Sequence, residues 1–243
     1  MVLELSKSHN LRNVCCEVGH ALVNGSFRLG LDGIYRCDEF QEFVWQAHGF
    51  GTRQANPPAD ITLRQIHSDR VLNAQVLRDR ESQGDALVTD EIGKSIGVRT
   101  ADCVAILLLD CHKRAVAAVH AGWRGTAAQI VERTLESMRD NFRSRPEDVY
   151  AAIGPCIRGC CYEVGADVEA RFKSLFPEWK PGTGKRKLDL AEANRRQMRG
   201  AGVNPDRIFD SGLCTTCQSA HFFSYRRESE NSGRMVASIA RLS

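Results

Sequence analysis

Two apolar runs on either side of a short polar turn constrain this chain more than any other feature. Val104-Ala105-Ile106-Leu107-Leu108-Leu109 is uninterrupted, and Ala115-Val116-Ala117-Ala118-Val119 follows across Asp110 to Arg114. Neither run alternates with polar residues, so each suits a strand covered on both faces. The turn between them suits a hairpin. Downstream, Thr126 can cap a helix reaching Phe142, with Ala127, Ile130, Val131, Leu135, Met138 and Phe142 at helical spacing. Pro146 lies beyond its end, and Val149 to Ile153 reads as a strand stopped by Gly154-Pro155. Gly165 to Phe176 and Leu188 to Ala201 read as further helices, the second closed by Gly202 and Pro205. Ile208-Phe209, Phe222 to Tyr225 and Met235 to Ile239 read as strands. Upstream, Gly25, Gly30 and Gly33 punctuate a hairpin, Asp38 to His48 forms a short helix or strand, and Asn56-Pro57-Pro58 turns into a strand-like segment, Asp60 to Val71. This alternation predicts an α/β fold: a single domain with a mixed central β-sheet flanked by helices. No repeat, low-complexity tract or linker divides the 243 residues.

Charge and composition exclude several classes of partner. The net charge is +3, with no run of five like charges, so neither nucleic acid nor a membrane surface is expected. Lys185-Arg186-Lys187 reads as a solvated turn. No apolar stretch approaches the roughly 20 residues of a membrane span, and Met1 to Asn10 lacks the pattern of a signal peptide. The ten cysteines then read as mostly free thiols in a cytoplasmic protein. Cys15, Cys16, Cys37 and Cys111 read as small apolar core residues.

Three residues on separate segments carry the chemistry: His67 in Gln65-Ile66-His67-Ser68, Cys103 in Thr100-Ala101-Asp102-Cys103, and His120 in Val119-His120-Ala121-Gly122-Trp123-Arg124-Gly125. Imidazole and thiolate are favoured zinc ligands, and a catalytic zinc keeps three protein ligands and one open position. The same residues equally fit a nucleophile–base pair. His120 enters a glycine-rich turn that leads into a helix N-terminus, a setting that favours an anion, and Arg124 adds a fixed positive charge. Asp102 beside Cys103 needs a cleft or a partner, since a buried carboxylate is costly alone. Cys214-Thr215-Thr216-Cys217 has the spacing of a zinc knuckle or a redox pair, but no second pair lies nearby in sequence and the segment does not resemble a thioredoxin-like unit, so these thiols read as free. Cys156, Cys160 and Cys161 have metal-ligand chemistry but read as loop thiols. Gly182-Thr183-Gly184-Lys185 lacks the spacing of a phosphate loop. Phe222-Phe223-Ser224-Tyr225-Arg226-Arg227 suits either an edge strand or a surface that stacks a planar base.

At these motifs the chain resembles the bacterial YfiH family, which carries a laccase-domain or "multicopper polyphenol oxidase" label. The resemblance runs through Gln65-Ile66-His67, Asp85-Ala86-Leu87-Val88-Thr89, Thr100 to Cys103, Ala118 to Gly125 and Ile153-Gly154-Pro155. It continues in Tyr162-Glu163-Val164-Gly165, Leu188-Asp189-Leu190, Cys214-Thr215, Phe223 to Arg227 and Gly233-Arg234. It covers residues 48–243 as one laccase-type domain; residues 1–47 match less well and read as part of the same domain. The resemblance implies one zinc on His67, Cys103 and His120, which with Asp102 form the expected catalytic group. It also implies phosphorolysis of adenosine, inosine, guanosine and methylthioadenosine, together with adenosine deamination. Arg53 is then the resemblance-based phosphate or ribose contact, with Arg124 and Arg226 as alternatives and Phe223 and Tyr225 against the base. The chain departs from the family where only Gln54 to Ala59 follows Thr52-Arg53, and at Val104 just beyond the cysteine.

The laccase label meets a ligand count. A blue-copper centre needs two His and a Cys, and oxygen chemistry needs further copper held mostly by imidazole. Seven histidines with no His-x-His pair do not readily build that set. Zinc is therefore expected over Cu²⁺, although copper competes well at nitrogen and sulfur sites. The expected partners are a nucleoside and phosphate. A metal-free hydrolase using Cys103 with His120, including one that edits cell-wall precursors, is one alternative. A copper polyphenol oxidase and a non-enzymatic zinc-stabilised module are the others.

Overall fold

The computed structural model describes residues 27–77, 82–180 and 185–243. Cys15, Cys16, Gly25 and the Gly182–Gly184 segment lie outside them. The described chain opens with strands β1 (Phe27–Leu29), β2 (Tyr35–Cys37) and β3 (Gln46–Phe50). Next come β4 (Val71–Asn73), β5 (Ala86–Thr89), β6 (Ser95–Thr100), β7 (Val104–Asp110) and β8 (Val116–Ala121). Helices α1 (Trp123–Ala127) and α2 (Ile130–Phe142) precede β9 (Val149–Ile153) and β10 (Glu163–Val164). The chain then forms α3 (Ala166–Phe172), β11 (Arg186–Lys187), α4 (Leu190–Gly200), β12 (Ile208–Asp210), α5 (Tyr225–Glu228) and β13 (Met235–Arg241).

The unbroken apolar runs have a structural cause. β7 and β8 pair antiparallel, with Val104 opposite Ala121 and Leu109 opposite Val116, and every residue of both is buried. They are the central strands of a mixed six-stranded sheet ordered β12-β9-β7-β8-β5-β4. Val104, Ile106 and Leu108 face a core shared with Ile130, Val131 and Leu135 of α2 and with Leu190 and Met198 of α4. Ala105, Leu107 and Leu109 face the opposite core, which Ile96, Val98 and Ile239 close. Those residues belong to a second sheet, β1-β2-β3-β13-β6, antiparallel throughout. The mixed α/β domain is as expected, with one refinement: helices cover one face of the central sheet, and a second sheet covers the other.

Several expected elements differ. The helix from Thr126 is two helices, because Gln129 takes a left-handed backbone (φ 65°) after α1. Thr126 is buried inside α1, where its hydroxyl accepts from Asn194 and its carbonyl from Gln197, at 3.0 and 2.8 Å. Side chains of α4 thus replace hydrogen bonds that a longer helix would supply. The helix expected to start at Gly165 ends at Phe172. The helix expected at Leu188 starts after Asp189, whose carboxylate caps it by accepting from Glu192 N. Asp60 to Val71 is not a strand. It touches the second sheet through a single bridge from Ile61 to Ile96 and meets Gln83, outside the strands, at Arg64; regular pairing begins only at Val71. Phe222 to Tyr225 is not a strand either. Ser224 caps the short α5, and the Phe222 N–H goes to Gln218 O rather than to a ladder.

Leu107 is fully buried between the two sheets. Leu107→Ala should lower unfolding free energy by about 2–5 kcal/mol, seen as a lower urea midpoint at unchanged slope. A midpoint unchanged within error would contradict the two-sheet core.

Candidate active site

The start of β5, the end of β8 and the segment at residues 66–68 converge on one carboxylate. Asp85, just before β5, is fully buried. It accepts from the backbone N–H groups of Ile66 (3.3 Å), His67 (2.9 Å) and Ser68 (2.7 Å), and from the Ser68 hydroxyl (2.7 Å). Its Oδ1 also pairs with Nδ1 of His120 at 2.9 Å, and its carbonyl accepts from His120 N at 2.7 Å. The N–H groups that a strand at residues 66–68 would give to a ladder are used here, which is why that segment leaves the sheet. With Nδ1 of His120 held by Asp85, Nε2 is the nitrogen that faces a ligand.

His67 is turned inward from a left-handed backbone (φ 57°), and Cys103 follows Asp102, which has φ 90°. The two imidazole rings stand edge to face, 4.9 Å apart. The ligand atoms of His67, Cys103 and His120 lie within 4.8 Å of one another, a spread that bonds of about 2.0–2.3 Å to one ion span after small side-chain adjustment. A Cβ on Gly122 would stand 3.0 Å from the His67 ring and 3.1 Å from the Cys103 sulfur. Glycine there lets the chain pass close beneath the trio. Two imidazoles and a thiolate, with the ring nitrogen fixed from behind, fit zinc.

The same contacts shift protonation. Burial opposes a thiolate at Cys103, but hydrogen bonds and charge from His120 and His67 outweigh it and bring the thiol down to about 6. Burial also opposes a charged His120, yet Asp85 and Cys103 raise it to about 9. For Asp85, the hydrogen bonds from His120 and Ser68 overcome burial and lower it to about 2. Without an ion, Cys103 and His120 therefore favour a thiolate–imidazolium pair at neutral pH.

Around the trio opens a cleft of about 830 Å³. Arg64, Arg99, Arg124, Arg226 and Arg234 line it, together with Trp123, Tyr162 and Tyr225. None of these five arginines forms an ion pair with an acidic side chain among the described residues, and all five are exposed. Arg124 lies over the Trp123 ring at 4.4 Å, and Arg226 over Tyr162 at 5.1 Å. Asp102 also borders the cleft, but its oxygens accept from Thr215 (2.6 Å), Ser224 (3.1 Å) and the Arg226 N–H (2.7 Å). This places Asp102 as an anchor of the C-terminal loops beneath Cys103.

Two expected contacts do not reach the cleft. Arg53 pairs with Glu228, donates to Phe222 O at 2.9 Å and covers the Phe223 ring at 4.4 Å. These contacts brace the C-terminal loop. Phe223 lies beneath Arg53, against a spot where Gly233 has no side chain to obstruct the ring. Tyr225 and Arg226 do line the cleft. Sequence reasoning missed Asp85, Arg64, Arg99, Arg234 and Tyr162 as site residues. Asp85, Tyr162 and Arg234 stood within quoted motifs, which was the available signal.

Residues 42–242 match the family described as Multi-copper polyphenol oxidoreductase laccase. A purine nucleoside phosphorylase of Deinococcus radiodurans is 45% identical over 179 residues, 73% of this chain and 68% of that protein. An adenosine deaminase from an unknown prokaryotic organism is 40% identical over 193 residues, 73% of each chain. The solved structure of YlmD from Geobacillus stearothermophilus superimposes with a TM-score of 0.79 at 28% identity, covering 90% of this chain and all of that one. No helix among the described residues is long and apolar enough to cross a membrane.

Two outcomes test the site. Asp85→Asn should weaken zinc binding about 10–100-fold, as loss of a histidine's outer partner does, measured by chelator competition. Unchanged affinity would remove Asp85 from the site. In metal-stripped protein, iodoacetamide should modify Cys103 with half-maximal rate near pH 6, because a lowered pKa keeps the thiolate populated above that value. Added zinc should protect it. A profile centred near the ordinary thiol value of about 8.5 would contradict the pairing with His120.

Proposed function

The chain belongs to the Multi-copper polyphenol oxidoreductase laccase family, and we propose that it is a zinc-dependent enzyme of purine nucleosides. Its reactions in this reading are phosphorolysis of adenosine, inosine, guanosine and methylthioadenosine, and adenosine deamination. The observation that carries the reading is a single cleft that joins three grouped metal-type donors to five arginines that have no acidic partners among the described residues. The names of similar proteins, a purine nucleoside phosphorylase and an adenosine deaminase, support it. The cleft volume lies within the roughly 300–1,000 Å³ of small-molecule sites.

His67, Cys103 and His120 would hold the ion, which when bound supplies a Lewis-acid centre with an open position. Asp85 orients His120 and compensates the charge on its ring. Arginine is planar and permanently charged, so it can grip phosphate bidentately and hold it in line with ribose C1′. Arg124 stands next to the trio in sequence and space and is the foremost such contact; Arg226 is the second. Tyr225 and Tyr162 offer ring faces to the purine. Asp102 acts through position, fixing the backbone that presents Cys103 and Arg226. The multicopper label is disfavoured by the ligands: among the described residues, the grouped metal donors include only two histidines. His48 is occupied by Cys37 N and Gln46.

One observation favours a second reading. The thiolate–imidazolium pairing of Cys103 and His120 is also that of a cysteine nucleophile with its base.

Zinc-loaded protein incubated with adenosine should yield adenine and ribose 1-phosphate only when phosphate is present, and inosine without it. Arg124→Ala should lower kcat/KM for phosphate about 10-fold or more, the scale of one hydrogen bond to a charged group, while deamination changes little. Equal loss of both reactions with zinc retained would assign Arg124 to the nucleoside. No turnover of any purine nucleoside by the zinc-loaded protein would reject the proposal. Hydrolysis of an ester or amide by metal-stripped protein would favour the cysteine mechanism.

A further inference from the structure

A second group of sulfurs converges outside the proposed reaction. Cys160 and Cys161 lie in the turn between β9 and β10, and Cys214 and Cys217 in the loop after β12. Sequence spacing left Cys214–Cys217 without a companion pair; the parallel bridge between Cys156 and Cys214 brings one alongside. All four sulfurs lie within 4.8 Å of one another. Cys217 Sγ stands 3.7 Å from that of Cys160 and 3.4 Å from that of Cys161. Four thiolates about 2.3 Å from a tetrahedral zinc stand about 3.8 Å apart, so these separations match a metal-centred cluster. They are far longer than the roughly 2.05 Å of a disulfide. Neighbouring Cα atoms, about 3.8 Å apart, also fall short of the roughly 4.4 Å that an unstrained disulfide needs, which disfavours pairing Cys160 with Cys161.

The backbone is arranged for thiolates. The N–H groups of Arg158 and Cys217 point at the Cys214 sulfur. Gln218 N bonds Cys214 O at 3.0 Å, closing the Cys-x-x-Cys turn. Three of the four cysteines are partly exposed, so an ion can enter.

We propose that Cys160, Cys161, Cys214 and Cys217 bind a second zinc ion in a closed, four-sulfur structural site. Its place in the fold gives it a task. Cys161 is followed by Tyr162, which lines the cleft. Cys214 is followed by Thr215, whose hydroxyl donates to Asp102. An ion there fastens together the two loops that flank Asp102 and the aromatic side of the cleft. The site stands on its own sulfurs and does not depend on the nucleoside reading.

The test is zinc content and coordination of the full-length protein expressed with zinc and then dialysed. About two equivalents are expected, one per cluster. Cys103→Ser, which leaves the four-sulfur group untouched, should retain about one equivalent, and zinc X-ray absorption should show only sulfur neighbours at about 2.3 Å. Cys217→Ser should retain the other, with mixed nitrogen and sulfur neighbours. Absence of zinc from a folded Cys103→Ser protein would overturn the proposal. So would nitrogen or oxygen neighbours around its zinc, or an intact mass showing a disulfide among the four cysteines. Loss of zinc from the His67 group alone would sink the first site and leave this one standing.

Discussion

The carboxylate of Asp85 is fully buried, and a buried charge is expensive unless partners surround it. Its partners determine the shape of this end of the molecule. Three successive N–H groups, one hydroxyl and one imidazole converge on two oxygens. Satisfying them pulls residues 66–68 off the sheet, holds His67 in a left-handed backbone and fixes which nitrogen of His120 faces outward. The central sheet supplies the rigid base, since β5 and β8 are direct neighbours. A constellation held from strand ends by a paired charge is kept more firmly than one built on free loops.

A second carboxylate repeats the logic on the other side of Cys103. Asp102 closes the sharp connection between β6 and β7, and its oxygens gather a threonine hydroxyl, a serine hydroxyl and the N–H at the start of α5. Two acidic anchors thus support the donor trio: Asp85 holds His67 and His120, and Asp102 holds the backbone that leads into Cys103. The arginines around the cleft carry no such compensation among the described residues, and their charge is directed at whatever enters.

How much of this was legible in sequence depends on how local each cause is. β7 and β8 were legible because burial on both faces leaves an unbroken apolar run. His67, Cys103 and His120 were legible because ligand-type side chains sat beside glycine and apolar runs. The break between α1 and α2 was not, since it depends on Asn194 and Gln197 reaching across from α4. Arg53 carried a family motif, but its direction is set by Glu228, 175 residues later in the same numbering. The cysteine cluster was hidden for the same reason: its halves are more than 50 positions apart, and only the sheet order brings them together. A segment that looked like an aromatic strand turned instead, because Ser224 caps α5 while its hydroxyl and the N–H of Arg226 serve the Asp102 carboxylate.

The partners of Asp102 sit 113 to 124 residues beyond it, and the last strand, β13, occupies the interior of the second sheet, between β3 and β6. Long-range closure of this kind comes late in folding, after local hairpins such as β7–β8. During synthesis, therefore, Cys103 and His120 emerge well before the residues that wall that side of the cleft. The nascent chain thus presents these donors beside an unfinished second sheet, and residues 215–241 later complete the cleft wall and fill the gap between β3 and β6.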